Sequence, residues 1–123
     1  MAGKRVLVVE DNERNMKLFR DVLQASGYAT LEARTGEEAV ELAVSALPAL
    51  VLMDVQLPGI DGVEALARLR ADEQTASIPV LALTAQAMHG DRESFLEAGF
   101  DGYLSKPVDL AELLQAVDEH ARG

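Results

Sequence analysis

Three runs of apolar residues proceed without alternation and then stop at polar ones. They are Val6-Leu7-Val8-Val9 before Glu10-Asp11, Leu50-Val51-Leu52-Met53 before Asp54, and Val80-Leu81-Ala82-Leu83 before Thr84. A short unbroken apolar run bounded by turn residues is the pattern of a strand covered on both faces. Two weaker strand-like stretches, Ala29 to Ala33 and Gly102 to Leu104, are short or mix polar with apolar residues. Helical spacing fills the intervals. Met16, Phe19 and Leu23 fall at i, i+3 and i+7, which predicts a first helix from about Asn12 to Ala25, stopped by Gly27. Thr35 with Glu38 has capping-box spacing and opens a second helix to about Ala46, ahead of Pro48. Asp61 with Glu64 does the same for a third helix to about Ala71. A fourth runs from about Gly90 to Ala98 and ends at Gly99, and Asp109 with Glu112 caps the last.

Strand and helix thus alternate five times, the pattern of a parallel sheet with helices on both faces. The three buried runs require inner positions, and the two weak strands suit the edges. The flavodoxin-like (βα)5 order 2-1-3-4-5 meets that requirement, whereas 3-2-1-4-5 would bury the weak second strand. Residues 1–123 are expected to form one α/β domain with no repeat, linker or low-complexity segment.

Composition narrows the function. At 49% hydrophobic residues the chain can bury a real core. The absence of cysteine excludes a disulfide framework and a thiol nucleophile. No apolar run approaches membrane-spanning length, so a cytoplasmic protein without membrane insertion is expected. The net charge of −10 disfavours nucleic acid, whose binding needs a basic face.

Open α/β sheets bind their ligands beyond the carboxyl ends of the strands. Parallel strands would bring Glu10, Asp11, Asp54 and Thr84 to one crevice there, with Lys106 of Leu104-Ser105-Lys106-Pro107 beside it. Three like charges so placed require protons or a cation, and a hard divalent ion such as Mg²⁺ takes oxygen ligands while keeping several waters. A carboxylate nucleophile, a metal, an ammonium and a hydroxyl are the parts that phosphoryl transfer to an aspartate requires.

The set Glu10-Asp11, Asp54, Thr84 and Lys106-Pro107 resembles the receiver domain of two-component response regulators, over essentially the whole chain. Val9-Glu10-Asp11-Asn12-Glu13-Arg14-Asn15-Met16-Lys17-Leu18-Phe19 and Leu83-Thr84-Ala85-Gln86-Ala87-Met88 are most similar to DivK-type single-domain regulators of bacterial cell division. The resemblance implies that Asp54 accepts the phosphoryl group. It implies that Asp11, Asp54 and the Gln56 carbonyl hold Mg²⁺, with Glu10 acting through water and Mn²⁺ able to substitute. Glu10 departs from the commoner Asp-Asp pair. Lys106 would contact the phosphoryl group, and the Lys106–Pro107 bond would be cis. Thr84 and Tyr103 match the family's switch pair, the ring turning inward as the hydroxyl moves toward the phosphoryl group. The donor would be a histidine kinase or a phosphotransfer protein.

Asn15, Leu18 and Val22 form a second i, i+3, i+7 line on the first helix, expected to dock such a partner. With no output domain expected after the last helix, the output would be a protein contact, with a downstream target or in a phosphorylation-dependent dimer. The chain would not be an enzyme beyond catalysing its own phosphorylation and dephosphorylation. A haloacid dehalogenase would need a second acid where Gln56 stands, and a flavodoxin's phosphate loop would be repelled by Glu10-Asp11-Asn12-Glu13. A phosphorylation-independent binding module on the same fold is the third alternative.

Overall fold

The computed structural model describes residues 4–85 and 96–121. Its strands are β1 (Arg5–Val9), β2 (Ala29–Ala33), β3 (Leu50–Asp54), β4 (Val80–Thr84) and β5 (Gly102–Ser105), parallel throughout and ordered β2-β1-β3-β4-β5. The two weak strands take the edges, as their mixed composition requires. β5 runs one residue beyond its expected end because Ser105 pairs with Thr84. The Lys106 N–H then donates to the Thr84 carbonyl at 2.8 Å, which fixes the start of the lysine's loop against β4.

Side chains of a strand alternate between faces, so an unbroken apolar run needs a cover on each side. One face presents Leu7, Val9, Val51, Met53, Val80 and Ala82 to α2 (Gly36–Ala46) and α3 (Gly62–Ala71), which answer with Ala39, Ala43, Ala65, Leu66 and Leu69. The other presents Val6, Val8, Leu50, Leu52, Leu81 and Leu83 to α1 (Glu13–Ala25) and the C-terminal helix (Leu110–His120), through Met16, Phe19, Leu23, Leu113 and Val117. Each fully buried Leu contributes about 1.5–3 kcal/mol, so the inner strands anchor the fold.

The helix ends follow their sequence signals, with one refinement. Asn12 caps α1 by accepting from the Asn15 N–H at 3.0 Å. At its far end Gly27 stands at φ 96°, and the Gly27 and Tyr28 N–H groups reach back to the Gln24 and Leu23 carbonyls, a glycine-dependent stop. Thr35 and Asp61 accept from the Glu38 and Glu64 N–H groups as expected. The reciprocal halves of those boxes are replaced: Glu38 accepts from the Arg34 N–H at 2.6 Å, and Glu64 lies 3.6 Å from Arg68. Asp109 caps the C-terminal helix through the Ala111 and Glu112 N–H groups. The fourth predicted helix lies outside the described residues except for helical residues 96–98.

Arg70 locks the opposite end of the sheet. Its guanidinium donates to the carbonyls of Ala76 (3.0 Å), Ile78 (2.7 Å) and Gly99 (2.9 Å), and to Asp101 at 2.9 Å. The same Asp101 oxygen accepts from the Val80 N–H at 2.8 Å, so one side chain ties α3 to the starts of β4 and β5.

Candidate functional site

The carboxyl ends of β1, β3 and β5 open into a cleft of about 680 Å³, lined among others by Glu10, Asp11, Asn15, Asp54, Gln56 and Lys106. Asp54 is the last residue of β3 and is buried. Its Oδ1 accepts from the Gln56 N–H at 3.0 Å, which holds the turn after the strand. Its Oδ2 accepts from Lys106 Nζ at 2.7 Å. Behind it, the first residue of α3 is Gly62, whose N–H donates to the Val55 carbonyl at 3.0 Å. A Cβ at Gly62 would stand 2.6 Å from the Asp54 carbonyl oxygen and 2.8 Å from Val55 Cα. The backbone behind Asp54 therefore needs glycine. The only local sequence signal for Gly62 is the Asp61-Gly62 pair at a helix start.

Glu10 is completely buried, although it stands one residue from an exposed acid. Its N–H extends the ladder to the Ala33 carbonyl at 3.0 Å, which turns the side chain into the cleft. Oε1 accepts from Lys106 Nζ at 2.9 Å and from Asn15 Nδ2 at 3.2 Å, and Oε2 from the Asn12 N–H at 3.3 Å. Burial, and after it the neighbouring Asp54, pushes the Glu10 carboxyl above its ordinary range, while Lys106 partly offsets both. Burial alone would depress the Lys106 ammonium; hydrogen bonds to Asp54 and Glu10 outweigh it and raise the group above its ordinary value.

Carboxylate oxygens of Glu10, Asp11 and Asp54 all lie within 4.8 Å of one another. One ammonium cannot balance three charges at that spacing. The donors are all oxygens, and exposed Asp11 leaves the outer side open to water, so the set fits a hard divalent cation that keeps part of its hydration shell.

The remaining sequence-predicted residues fall as follows. Thr84 is buried at the end of β4, on the same sheet face as Ala82, which pairs with Tyr103. Tyr103 is half-buried and packs against the cluster on that face. The Lys106–Pro107 bond is cis. The Asn15, Leu18, Val22 line does not form one exposed face. Leu18 is 43% exposed, beside Arg14, Lys17 and Asp21, but Val22 packs on the core and Asn15 turns its amide into the cleft toward Glu10. The reason is local: the first turn of α1 brings the Asn15 amide within 3.2 Å of the buried carboxylate that follows β1.

A five-stranded parallel sheet of this order, with an acid cluster and a lysine at its carboxyl edge, is the architecture of a receiver domain. The chain belongs to the response regulator receiver domain family, whose model matches residues 6–118. It is 46% identical over 117 residues, 95% of each chain, to the polar-differentiation response regulator DivK of Brucella ovis and to that of Brucella abortus. Among solved structures it is similar to the receiver domain of a Pseudomonas aeruginosa sensor histidine kinase, at 38% identity and a TM-score of 0.91 over 99% of this chain and 100% of that one. That domain carries a magnesium ion coordinated in its active site cleft. The Vibrio cholerae chemotaxis protein CheY4 matches at 28% identity and a TM-score of 0.90, over 97% and 99% of the two chains.

Proposed function

We propose that this chain is a single-domain response regulator that takes a phosphoryl group onto Asp54 and signals through a protein contact that depends on it. The observation that carries the reading is the Asp54 carboxylate itself. It is presented at the end of the central strand, with Lys106 Nζ at 2.7 Å and two further acids beside it. The donor is a phosphohistidine on a kinase or phosphotransfer protein, or a small acyl phosphate. As an Asp54 oxygen forms its bond to phosphorus, the bond from phosphorus to the donor nitrogen breaks, and the imidazole leaves with the electron pair and takes up a proton. Lys106, already paired with Asp54, is placed to meet the incoming phosphoryl oxygens. Asp11, Asp54 and the Gln56 carbonyl would hold Mg²⁺, with Mn²⁺ able to substitute. When bound, the ion neutralises charge on the phosphoryl oxygens and the carboxylates. Beyond forming and losing its own aspartyl phosphate, the chain catalyses nothing.

Thr84 and Tyr103 carry the signal outward in this reading. A phosphoryl oxygen offers the Thr84 hydroxyl a charge-assisted acceptor, and its inward movement makes room for the Tyr103 ring on the same sheet face. Such coupling amounts to about 1–3 kcal/mol, enough to shift a two-state population. Identity to the Brucella DivK proteins over 95% of their length supports a lone receiver acting in bacterial cell-division control. A cytoplasmic site accords with the helices, none of which, among the described residues, is long and apolar enough to cross a membrane. The output is a protein target or a phosphorylation-dependent dimer.

Transfer of labelled phosphate from a phosphohistidine donor tests this. Wild type should take up label with Mg²⁺ and not in excess chelator, and Asp54→Asn should take up none. Stable labelling of Asp54→Asn at the wild-type level would sink the assignment.

A further inference from the structure

We propose that Asn15 is a positioning residue of this site: its side-chain amide keeps the Glu10 carboxylate turned to Lys106 and so withholds it from the cation. The inference rests on the receiver reading above and assigns Glu10 and Asn15 their parts in it. Glu10 is completely buried, and three protein donors meet its oxygens. Oε1 takes Lys106 Nζ at 2.9 Å and Asn15 Nδ2 at 3.2 Å, which uses both of its lone-pair directions. Oε2 takes the Asn12 N–H at 3.3 Å. Two of these donors belong to the start of α1, and that start is itself fixed, because Asn12 Oδ1 accepts from the Asn15 N–H at 3.0 Å. The amide is therefore aimed by a capped helix and not by a mobile loop.

The consequence concerns how the site divides its charges. Lys106 bridges Glu10 Oε1 and Asp54 Oδ2. A Glu10 oxygen lies within 4.8 Å of oxygens of Asp11 and Asp54, but with Oε1 turned to the ammonium the direct contacts to a cation fall to Asp11, the exposed acid, and to Asp54. The extra methylene of glutamate relative to aspartate gives Glu10 the reach for this pairing. Remove the Asn15 amide, and Oε1 regains a free lone pair. Its negative charge is then less compensated, so the carboxylate competes with water for the cation and grips the ammonium in a less fixed geometry.

Magnesium binding measured by calorimetry, with no phosphoryl donor present, tests this. Asn15→Ala should bind Mg²⁺ more tightly by about threefold to tenfold, within the lower part of the range for coupling between groups in direct contact. Asn15→Leu, close to asparagine in size, should do the same. In a Glu10→Gln background, replacing Asn15 should change the affinity by less than about twofold, because the interaction it controls is gone. The ammonium protons of Lys106, resolved by NMR from those of Lys4 and Lys17, should exchange with water faster in Asn15→Ala than in wild type. Unchanged or weaker Mg²⁺ affinity in both Asn15 variants overturns the proposal, as does an equal effect in the Glu10→Gln background. A wild type that binds Mg²⁺ and labels at Asp54, with Asn15 variants identical to it, refutes the positioning role alone. A wild type that does neither refutes the receiver reading as well.

Discussion

Gly62→Ala separates two physical expectations of opposite sign. Helix propensity favours alanine over glycine by up to about 1 kcal/mol, chiefly because alanine has less unfolded-state freedom to lose. Against this, the new methyl would stand 2.6 Å from the Asp54 carbonyl oxygen and 2.8 Å from Val55 Cα. Both neighbours are backbone, and the turn that carries them is pinned by the bonds from the Gly62 N–H to the Val55 carbonyl and from the Val55 N–H to the Leu83 carbonyl, each 3.0 Å. Ordinary contact requires a displacement of most of an ångström, and overpacking of that kind costs about 1–3 kcal/mol. Propensity acts weakly at the first helical position, where about half of it offsets the clash, so the net loss is about 0.5–2.5 kcal/mol, or roughly 4 °C of melting temperature for each kcal/mol in a domain of this size. Urea and thermal denaturation measure this, and the rate of acyl phosphate labelling should fall with it as the acceptor is displaced. Gly27→Ala is the control: φ is 96° but no atom lies within 4 Å, so it loses about 1–2 kcal/mol to backbone strain with labelling unchanged. A Gly62→Ala protein as stable as wild type would refute the reasoning.

The same contact shows where the sequence was legible and where it was not. Runs such as Val6 to Val9 and Leu50 to Met53 announce strands buried on both faces, and the weakness of the second and fifth strands places them at the edges. Topology follows from those two facts, and with it the convergence of Glu10, Asp11, Asp54, Thr84 and Lys106. Pairings that close over long separations leave no local trace. Nothing near Glu10 says that its partner is Lys106, and nothing near Arg70 says that it will hold Asp101 and three carbonyls. The Asn15 contact is another pairing that the pattern does not announce. Helical periodicity aligns Asn15 with Leu18 and Val22, but periodicity knows the helix axis and not the loop that precedes the first turn.

Three further outcomes follow from the geometry. Arg70→Met should lower stability by about 2–4 kcal/mol in urea denaturation, since it strands three carbonyls together; a loss below half that would show the clamp to be incidental. The Glu10 carboxyl is raised in the folded state, chiefly by burial, so its stabilising contribution is complete below the ordinary value of 4.5 and is lost as pH rises through the folded value. Without divalent cation, the stability of Glu10→Gln relative to wild type should therefore increase as pH rises from about 4 to 7, and a constant difference across that range contradicts the shift. Asp11→Ala should weaken Mg²⁺ binding by about tenfold or more while raising the melting temperature in chelator, because one of three crowded charges is gone.

The central claim is that the phosphoryl group lands on the acid at the end of the central strand. Borohydride reduction of the freshly labelled protein converts an aspartyl phosphate to homoserine, and peptide mass spectrometry then locates the modified position. The structure predicts that the change falls at Asp54, requires Mg²⁺ and is lost in excess chelator. Modification at Asp11 or Glu10 with Asp54 intact, or none at all with a competent phosphohistidine donor, would contradict it.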